Sequence, residues 1–210
     1  MNRSRINGIL FDFGRVLGNF DKMGACAQFA ESSPYSAKQI HDIIVDGNLE
    51  RMLESGKMSS NSFARELLNN IKSDMTVPDL ERIWGNIFSP NPEIDPYVAK
   101  FIDRKVRLGV LSNTNEIHWP FIADLPVMRQ LRRHGASFTL SYEIKAFKPD
   151  RRMYEVACES LGIEPSQVLY LDDIEENVKA AKNYGLNAVR YDCSKDPPER
   201  LEEIFSSYGL

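Results

Sequence analysis

Asp12 ends the apolar run Ile9-Leu10-Phe11 and is followed by Phe13-Gly14. A carboxylate there can attack phosphorus and form an aspartyl-phosphate, or it can only cap a loop. Asp172 and Asp173 end a second apolar run, Val168-Leu169-Tyr170-Leu171. Adjacent carboxylates repel unless a cation or donors compensate them. A hard cation such as Mg²⁺, with oxygen ligands, answers that need. Asp173 also stands where a helix N-cap would, ahead of Ile174-Glu175-Glu176, and both readings can hold. Ser112-Asn113-Thr114-Asn115 follows a third run, residues 106–111. Its hydroxyls, amides and backbone N–H groups suit an anion, and equally a helix N-cap. Lys148 precedes Pro149. A residue before proline is held extended, which can aim an ammonium at a site, although a lone lysine is usually solvated surface.

Such residues need elements that bring them together. The apolar runs read as buried strands, with further short strands at residues 138–140 and 186–191. Helical spacing marks residues 95–105, 151–161, 175–184 (closed by Gly185) and 198–207. Residues 116–133 read as helical, interrupted at Pro120 and Pro126. Alternating strands and helices imply a Rossmann-like α/β core, a parallel sheet covered on both faces. In that architecture ligands bind at the carboxyl ends of the strands, where Asp12, Ser112-Asn113, Lys148 and Asp172-Asp173 would converge. Between the first and second core strands the chain reads instead as helices, at 21–31, 36–46, 48–54, 60–72 and from Thr76-Val77-Pro78-Asp79 onward. Their position after Asp12 suggests an inserted helical cap over the site. The expected organisation is a core of residues 1–18 and 90–210 and a cap of residues 19–89, joined by a turn-rich link at residues 89–92.

The 210 residues suffice for one sizeable domain, or a core with a small insert. The net charge is −4 and no basic tract speaks for nucleic acid. No apolar run approaches membrane-spanning length. The basic start Met1-Asn2-Arg3-Ser4-Arg5 lacks the apolar region of a signal peptide, so a cytoplasmic location is expected. Cys26, Cys158 and Cys193 match neither a zinc site nor a CxxC motif and are expected to be reduced.

In order and spacing, Phe11-Asp12-Phe13-Gly14, Leu111-Ser112-Asn113-Thr114, Lys148-Pro149 and Leu171-Asp172-Asp173 resemble the four motifs of the haloacid dehalogenase superfamily. The resemblance spans the whole chain, cap included. Leu111-Ser112-Asn113-Thr114-Asn115 and Phe147-Lys148-Pro149-Asp150 look most like the α-glucose-1-phosphatase branch. The resemblance implies an Mg²⁺-dependent phosphatase acting on a small phosphorylated metabolite, such as a sugar phosphate. Asp12 would be nucleophile and metal ligand, with the Gly14 carbonyl, Asp172 and Asp173 completing the metal site. Ser112 and Asn113 would hold the phosphoryl oxygens, and Lys148 would neutralise charge on nucleophile and phosphate. The turn Glu54-Ser55-Gly56-Lys57 resembles a cap specificity loop. Arg15 and Arg51 are candidate substrate contacts, each more commonly solvated surface.

One position departs from the pattern. Phosphatases of this superfamily usually carry a second aspartate two residues after the nucleophile, as general acid and base. Here it is Gly14. Losing such a group costs on the order of 10²–10⁴ in rate. A good leaving group such as an anomeric hydroxyl would lessen the need, and the α-glucose-1-phosphatase-like branch also has glycine here. His118 is an alternative proton carrier. A metal-independent dehalogenase and a non-catalytic binding protein of the same fold are the competing expectations.

Overall fold

The computed structural model describes residues 5–210; residues 1–4, the basic start of the chain, lie outside them. Strand β1 (Gly8–Phe11) is followed by a short strand β2 (Gly18–Phe20). Five helices come next: α1 (Lys22–Ala30), α2 (Ala37–Val45), α3 (Leu49–Glu54), α4 (Ser60–Asn70) and α5 (Val77–Gly85). The chain then returns through β3 (Phe88–Pro90), α6 (Asp95–Asp103), β4 (Arg107–Ser112), α7 (His118–Ala123), α8 (Pro126–Arg133) and β5 (Ser137–Leu140). It finishes with α9 (Ser141–Ile144), α10 (Arg151–Leu161), β6 (Val168–Asp172), α11 (Glu175–Tyr184), β7 (Asn187–Arg190) and α12 (Glu199–Ser207).

Successive side chains of a strand point to opposite faces, and here both faces are covered. Ile9, Phe11, Leu169 and Leu171 pack on one side with Val98 and Phe101 of α6, Met128 and Leu131 of α8, and Ile204 and Phe205 of α12. Leu10 and Tyr170 face the other way, onto Met153 and Tyr154 of α10 and Val178 and Ala181 of α11. Burial on both faces explains why these strands read as continuous apolar runs. The sheet is parallel, in the order β5-β4-β1-β6-β7. β1 therefore lies between β4 and β6, where the strand order reverses. A crevice opens at the carboxyl end of a sheet at such a point.

The inserted helices bury a core of their own. Phe29 of α1, Ile40 and Ile44 of α2, Leu53 of α3, Phe63 and Leu67 of α4, and Leu80 and Trp84 of α5 form one cluster. Asp21, Ser36, Ser59 and Thr76 each cap a helix through the side chain, which stabilises a helix by about 1 kcal/mol per cap.

Two expectations are corrected and one element is added. The link at residues 89–92 is not all turn: β3 pairs antiparallel with β2, Gly18 opposite Pro90 and Phe20 opposite Phe88. The two crossings between core and inserted helices thus run as one ribbon. Gly18 is required there, since a Cβ would meet the Ser89 carbonyl at 2.8 Å and the Phe13 ring at 2.7 Å. Pro120 does not interrupt a helix, because it falls in the first turn of α7, where no intrahelical N–H bond is lost. The break comes at Asp124-Leu125, before Pro126 opens α8. The four-residue α9 was not foreseen. Among the described residues no helix is long and apolar enough to cross a membrane.

Candidate active site

Asp12 directly follows β1, and its N–H donates to the Leu171 carbonyl at 2.8 Å, which prolongs the β1–β6 pairing. Its Oδ1 accepts from the Phe13 N–H at 2.7 Å and lies 2.8 Å from Lys148 Nζ. Among the described residues no donor reaches Oδ2. Burial, opposed by Lys148, pushes the Asp12 carboxyl up to about 7.

Lys148 is only 2 % exposed. Its ammonium donates to the Leu111 carbonyl at 3.0 Å, to the Tyr170 hydroxyl at 3.0 Å and to Asp172 Oδ2 at 2.8 Å. Burial alone would lower its pKa, but Asp12 and Asp172 hold it above the usual lysine range. The peptide bond to Pro149 is cis. Asn113 fixes the lysine's backbone: its Oδ1 accepts from the Lys148 N–H at 2.9 Å and its Nδ2 donates to the Lys148 carbonyl at 3.3 Å. The backbone N–H of Asn113 and the second hydrogen of its Nδ2 therefore remain for an anion. The buried Ser112 hydroxyl makes one long bond, to the Asn113 carbonyl at 3.4 Å.

Asp172, at the end of β6, is fully buried and saturated. Besides Lys148 it accepts from the Tyr170 hydroxyl, from the Ile174 N–H at 2.8 Å and from Asn177 Nδ2 at 3.0 Å. Burial would raise its pKa, but Lys148 and these donors hold it below the usual value. Asp173 differs. The residue capping α11 by position is Ile174, with no side-chain cap. The N-cap role expected of Asp173 is not the one it takes, since it is Asp172 that bonds the Ile174 N–H. Burial and the charge of Asp172 push Asp173 up to about 6.

Oxygens of Asp12, Asp172 and Asp173 lie within 4.8 Å of one another. Three carboxylates face a single ammonium. The Gly14 carbonyl beside them accepts no hydrogen bond among the described residues. Hard, under-bonded oxygens around excess negative charge fit a divalent cation such as Mg²⁺. Asp12 Oδ2, Asp173 and the Gly14 carbonyl have capacity to spare, while Asp172 is largely spoken for by protein donors.

These groups floor a cavity of about 450 Å³. Lys22, Glu50, Arg51 and Glu54 line it from the inserted helices, and His118 lines it from α7. Glu50 pairs with Lys22 at 2.6 Å. Arg51 lies 5.3 Å from the centre of the Phe147 ring. Arg15 lies over Phe20 and bonds Asn19, at the ribbon. His118 is buried between Trp84 and Phe88, and burial, then the charge of Lys22, lower its pKa to about 3. It is a neutral imidazole at ordinary pH, which corrects its reading as an acid. Motif reading missed Lys22, Glu50, Tyr170 and Asn177. Asn177 alone left a trace, as a polar residue on the buried face of α11 beside Val178.

A family model for haloacid dehalogenase-like hydrolases matches residues 6–185. The chain belongs to this haloacid dehalogenase-like hydrolase family. A D-ribitol-5-phosphate phosphatase of Bacteroides thetaiotaomicron is 24% identical, over 96% of the hydrolase and 100% of that protein. The (S)-2-haloacid dehalogenase 4A of Burkholderia cepacia is 35% identical, over only 27% of the hydrolase and 25% of that protein. Among solved structures, a HAD family enzyme of Bacteroides thetaiotaomicron superposes with a TM-score of 0.82 at 22% identity, covering 95% of the hydrolase and 99% of that chain. The same enzyme in complex with magnesium and inorganic phosphate gives 0.79, covering 91% and 96%.

Proposed function

We propose that this hydrolase is an Mg²⁺-dependent phosphatase of a small sugar or sugar-alcohol phosphate, working through an aspartyl-phosphate on Asp12, with residues 19–89 as its cap. One observation carries the reading: three carboxylates, two of them with free oxygens, converge on a site that holds one ammonium. Attack on carbon, as in a dehalogenase, needs no cation and gives Asp173 no task. A relative matching end to end is named for a phosphatase, and a structural neighbour binds magnesium with phosphate.

Asp12 Oδ2 attacks phosphorus while Oδ1 is steadied by the Phe13 N–H and Lys148. Asp12, the Gly14 carbonyl and Asp173 would hold Mg²⁺, which would neutralise charge on the phosphoryl oxygens. Ser112 and the Asn113 N–H receive those oxygens, and Lys148 offsets charge on the nucleophile and phosphate. Positioning and charge compensation of this kind do most of the work in phosphoryl transfer. D-ribitol 5-phosphate, the substrate named for the relative, is a primary alkyl ester. An ester of that class departs as a poor leaving group, unlike the anomeric ester expected from the glycine at position 14.

The test is phosphate release from sugar and polyol phosphates, with Mg²⁺ and with chelator, by wild type and Asp12→Asn. Turnover that needs both the metal and Asp12 supports the reading. Halide release from 2-haloacids in the presence of chelator would overturn it.

A further inference from the structure

Transfer of a phosphoryl group from an alkyl ester to Asp12 leaves an alkoxide that needs a proton. The places where the core would be looked to for it do not offer one: position 14 is glycine, the imidazole of His118 is uncharged, and the Lys148 ammonium is tied to Asp12 and Asp172. The cap side of the cavity does carry a candidate. Glu54, the last residue of α3, lines the same cavity as Asp12 and Lys148, and no donor among the described residues binds its carboxyl.

Backbone contacts fix the place of Glu54. Ser141 Oγ donates to the Glu54 carbonyl at 2.6 Å and lies 3.0 Å from the Thr114 carbonyl, while accepting the Thr114 N–H at 2.9 Å. Two residues on, Gly56 has φ +64, and a Cβ there would meet the Tyr142 carbonyl at 2.4 Å. The end of α3 is thus seated on α9 and on the turn after β4. The charged groups around the Glu54 carboxyl are Glu50 and Lys22 from the cap and Asp12 and Lys148 from the core. Burial, then the charge of Glu50, pushes it up to about 8, so it carries its proton at neutral pH.

His118 adds a second observation. Asn115 Oδ1 accepts from the N–H groups of Ile117 and His118, so its Nδ2 must face His118 Nδ1, at 2.9 Å. Nδ1 is then an acceptor, and the proton of the neutral ring sits on Nε2. That buried N–H meets no partner in hydrogen-bonding geometry among the described residues, and the Trp84 backbone is the polar group beside the ring that acts on its charge. A His118 ring nitrogen lies within 4.8 Å of carboxylate oxygens of Glu50 and Glu54. A protonated Nε2 cannot ligate a metal, but it can donate to an oxygen of a ligand in the cleft.

We propose that Glu54 is the general acid and base of the phosphatase reaction, brought by the cap to the task that position 14 leaves undone, with His118 Nε2–H holding a substrate oxygen beside it. This rests on the phosphatase reading. In the first step the Asp12–phosphorus bond forms and the bond from phosphorus to the ester oxygen breaks. That oxygen takes the bonding pair and the Glu54 proton and leaves as the alcohol. In the second step the Glu54 carboxylate takes a proton from water as its oxygen joins phosphorus. The Asp12–phosphorus bond breaks, phosphate departs, and Asp12 is again a carboxylate and Glu54 an acid.

The experiment is rapid-quench measurement of phosphoenzyme formation in wild type, Glu54→Gln and Glu54→Asp. It compares D-ribitol 5-phosphate with p-nitrophenyl phosphate, whose phenolate leaves without a proton. In Glu54→Gln the alkyl reaction is expected to slow on the order of 10²–10⁴-fold while the aryl reaction stays within about threefold. The aryl phosphoenzyme then persists, because water is no longer activated, and Glu54→Asp recovers part of the alkyl rate. The wild-type alkyl rate falls above about pH 8, and that limb is absent in Glu54→Gln. Equal losses on both esters, or an unchanged alkyl rate, overturn the assignment while wild-type turnover leaves the phosphatase reading standing. A wild type that releases phosphate from neither ester overturns both.

Discussion

Lys148 holds the core half of the site in balance. Its ammonium touches Asp12 and Asp172, each at 2.8 Å, and all three are buried. Removing one partner of a buried ionic cluster leaves uncompensated charge, at a cost of about 3–5 kcal/mol. Lys148→Met is therefore expected to lower unfolding free energy by about that amount in urea titration and to abolish turnover. Adding Asp172→Asn should return much of the stability and none of the activity. A single variant as stable as wild type would mean that the saturating donors around Asp172 suffice without the lysine. Asp173 is the complementary case, a carboxyl raised by burial and by Asp172 and met among the described residues by its own backbone N–H alone. A cation there should stabilise the fold by mass action, by about 2.7 kcal/mol at a hundredfold excess over Kd. The corresponding thermal shift on adding Mg²⁺ should shrink or vanish in Asp173→Asn; an undiminished shift would place the metal elsewhere.

The elements carrying these residues differ in how plainly the sequence announces them. β1, β4 and β6 are buried on both faces, so unbroken apolar runs betray them, and a parallel sheet gathers their carboxyl ends. That is why Asp12, Ser112 and the Asp172-Asp173 pair stand out in the sequence, whereas Lys148, in the turn between α9 and α10, stands out only as the residue before Pro149. The β2–β3 ribbon and α9 are three or four residues long, too short for any periodicity to register. The cap side of the cavity was hidden for another reason. Glu54 and His118 draw notice singly, but Lys22 and Glu50 do not, and the four meet only through packing across large sequence separations, α3 on α9 and α5 on α7, of which local pattern carries no trace. Gly56 is the residue in the docking of α3 on α9 with no substitute. Alanine there must either hold a left-handed conformation, at about 1–2 kcal/mol, or displace the Tyr142 carbonyl. Gly56→Ala is expected to lower kcat/KM about tenfold or more, the equivalent of 1.4 kcal/mol in transition-state stabilisation. Amide hydrogen exchange should quicken at Thr114, whose N–H rests on Ser141, and remain slow in α1 and α2, which have their own core. Unchanged exchange at Thr114 would show that the seat does not depend on Gly56.

On the scale of the whole molecule, two hydrophobic cores meet at a polar cleft, and His118 sits at the joint. It belongs to α7, yet its ring lies 5.4 Å from Trp84 of the inserted helices and 4.9 Å from Phe88 of the ribbon. Packing there keeps it neutral, and this ties the joint to pH. The unfolded chain takes up a proton at this histidine near pH 6.5, whereas the folded chain resists until about pH 3. Between those values the unfolded state binds more protons, so stability contributed by the neutral ring is lost as pH falls. By pH 5 the loss should reach about 2 kcal/mol relative to pH 7.5, from 1.36 kcal/mol per unit of separation. Glu54 works in the opposite sense, because a carboxyl raised to about 8 binds its proton more tightly in the folded state. The informative quantity is thus the difference between wild type and His118→Gln in urea titrations at the two pH values. Glutamine removes the titrating ring along with its packing, so the variant should be less stable at pH 7.5 and should close much of that gap at pH 5. A gap that stays constant would show that His118 is protonated in the folded protein well above pH 3, and that the joint between the two cores is wetter than its burial implies.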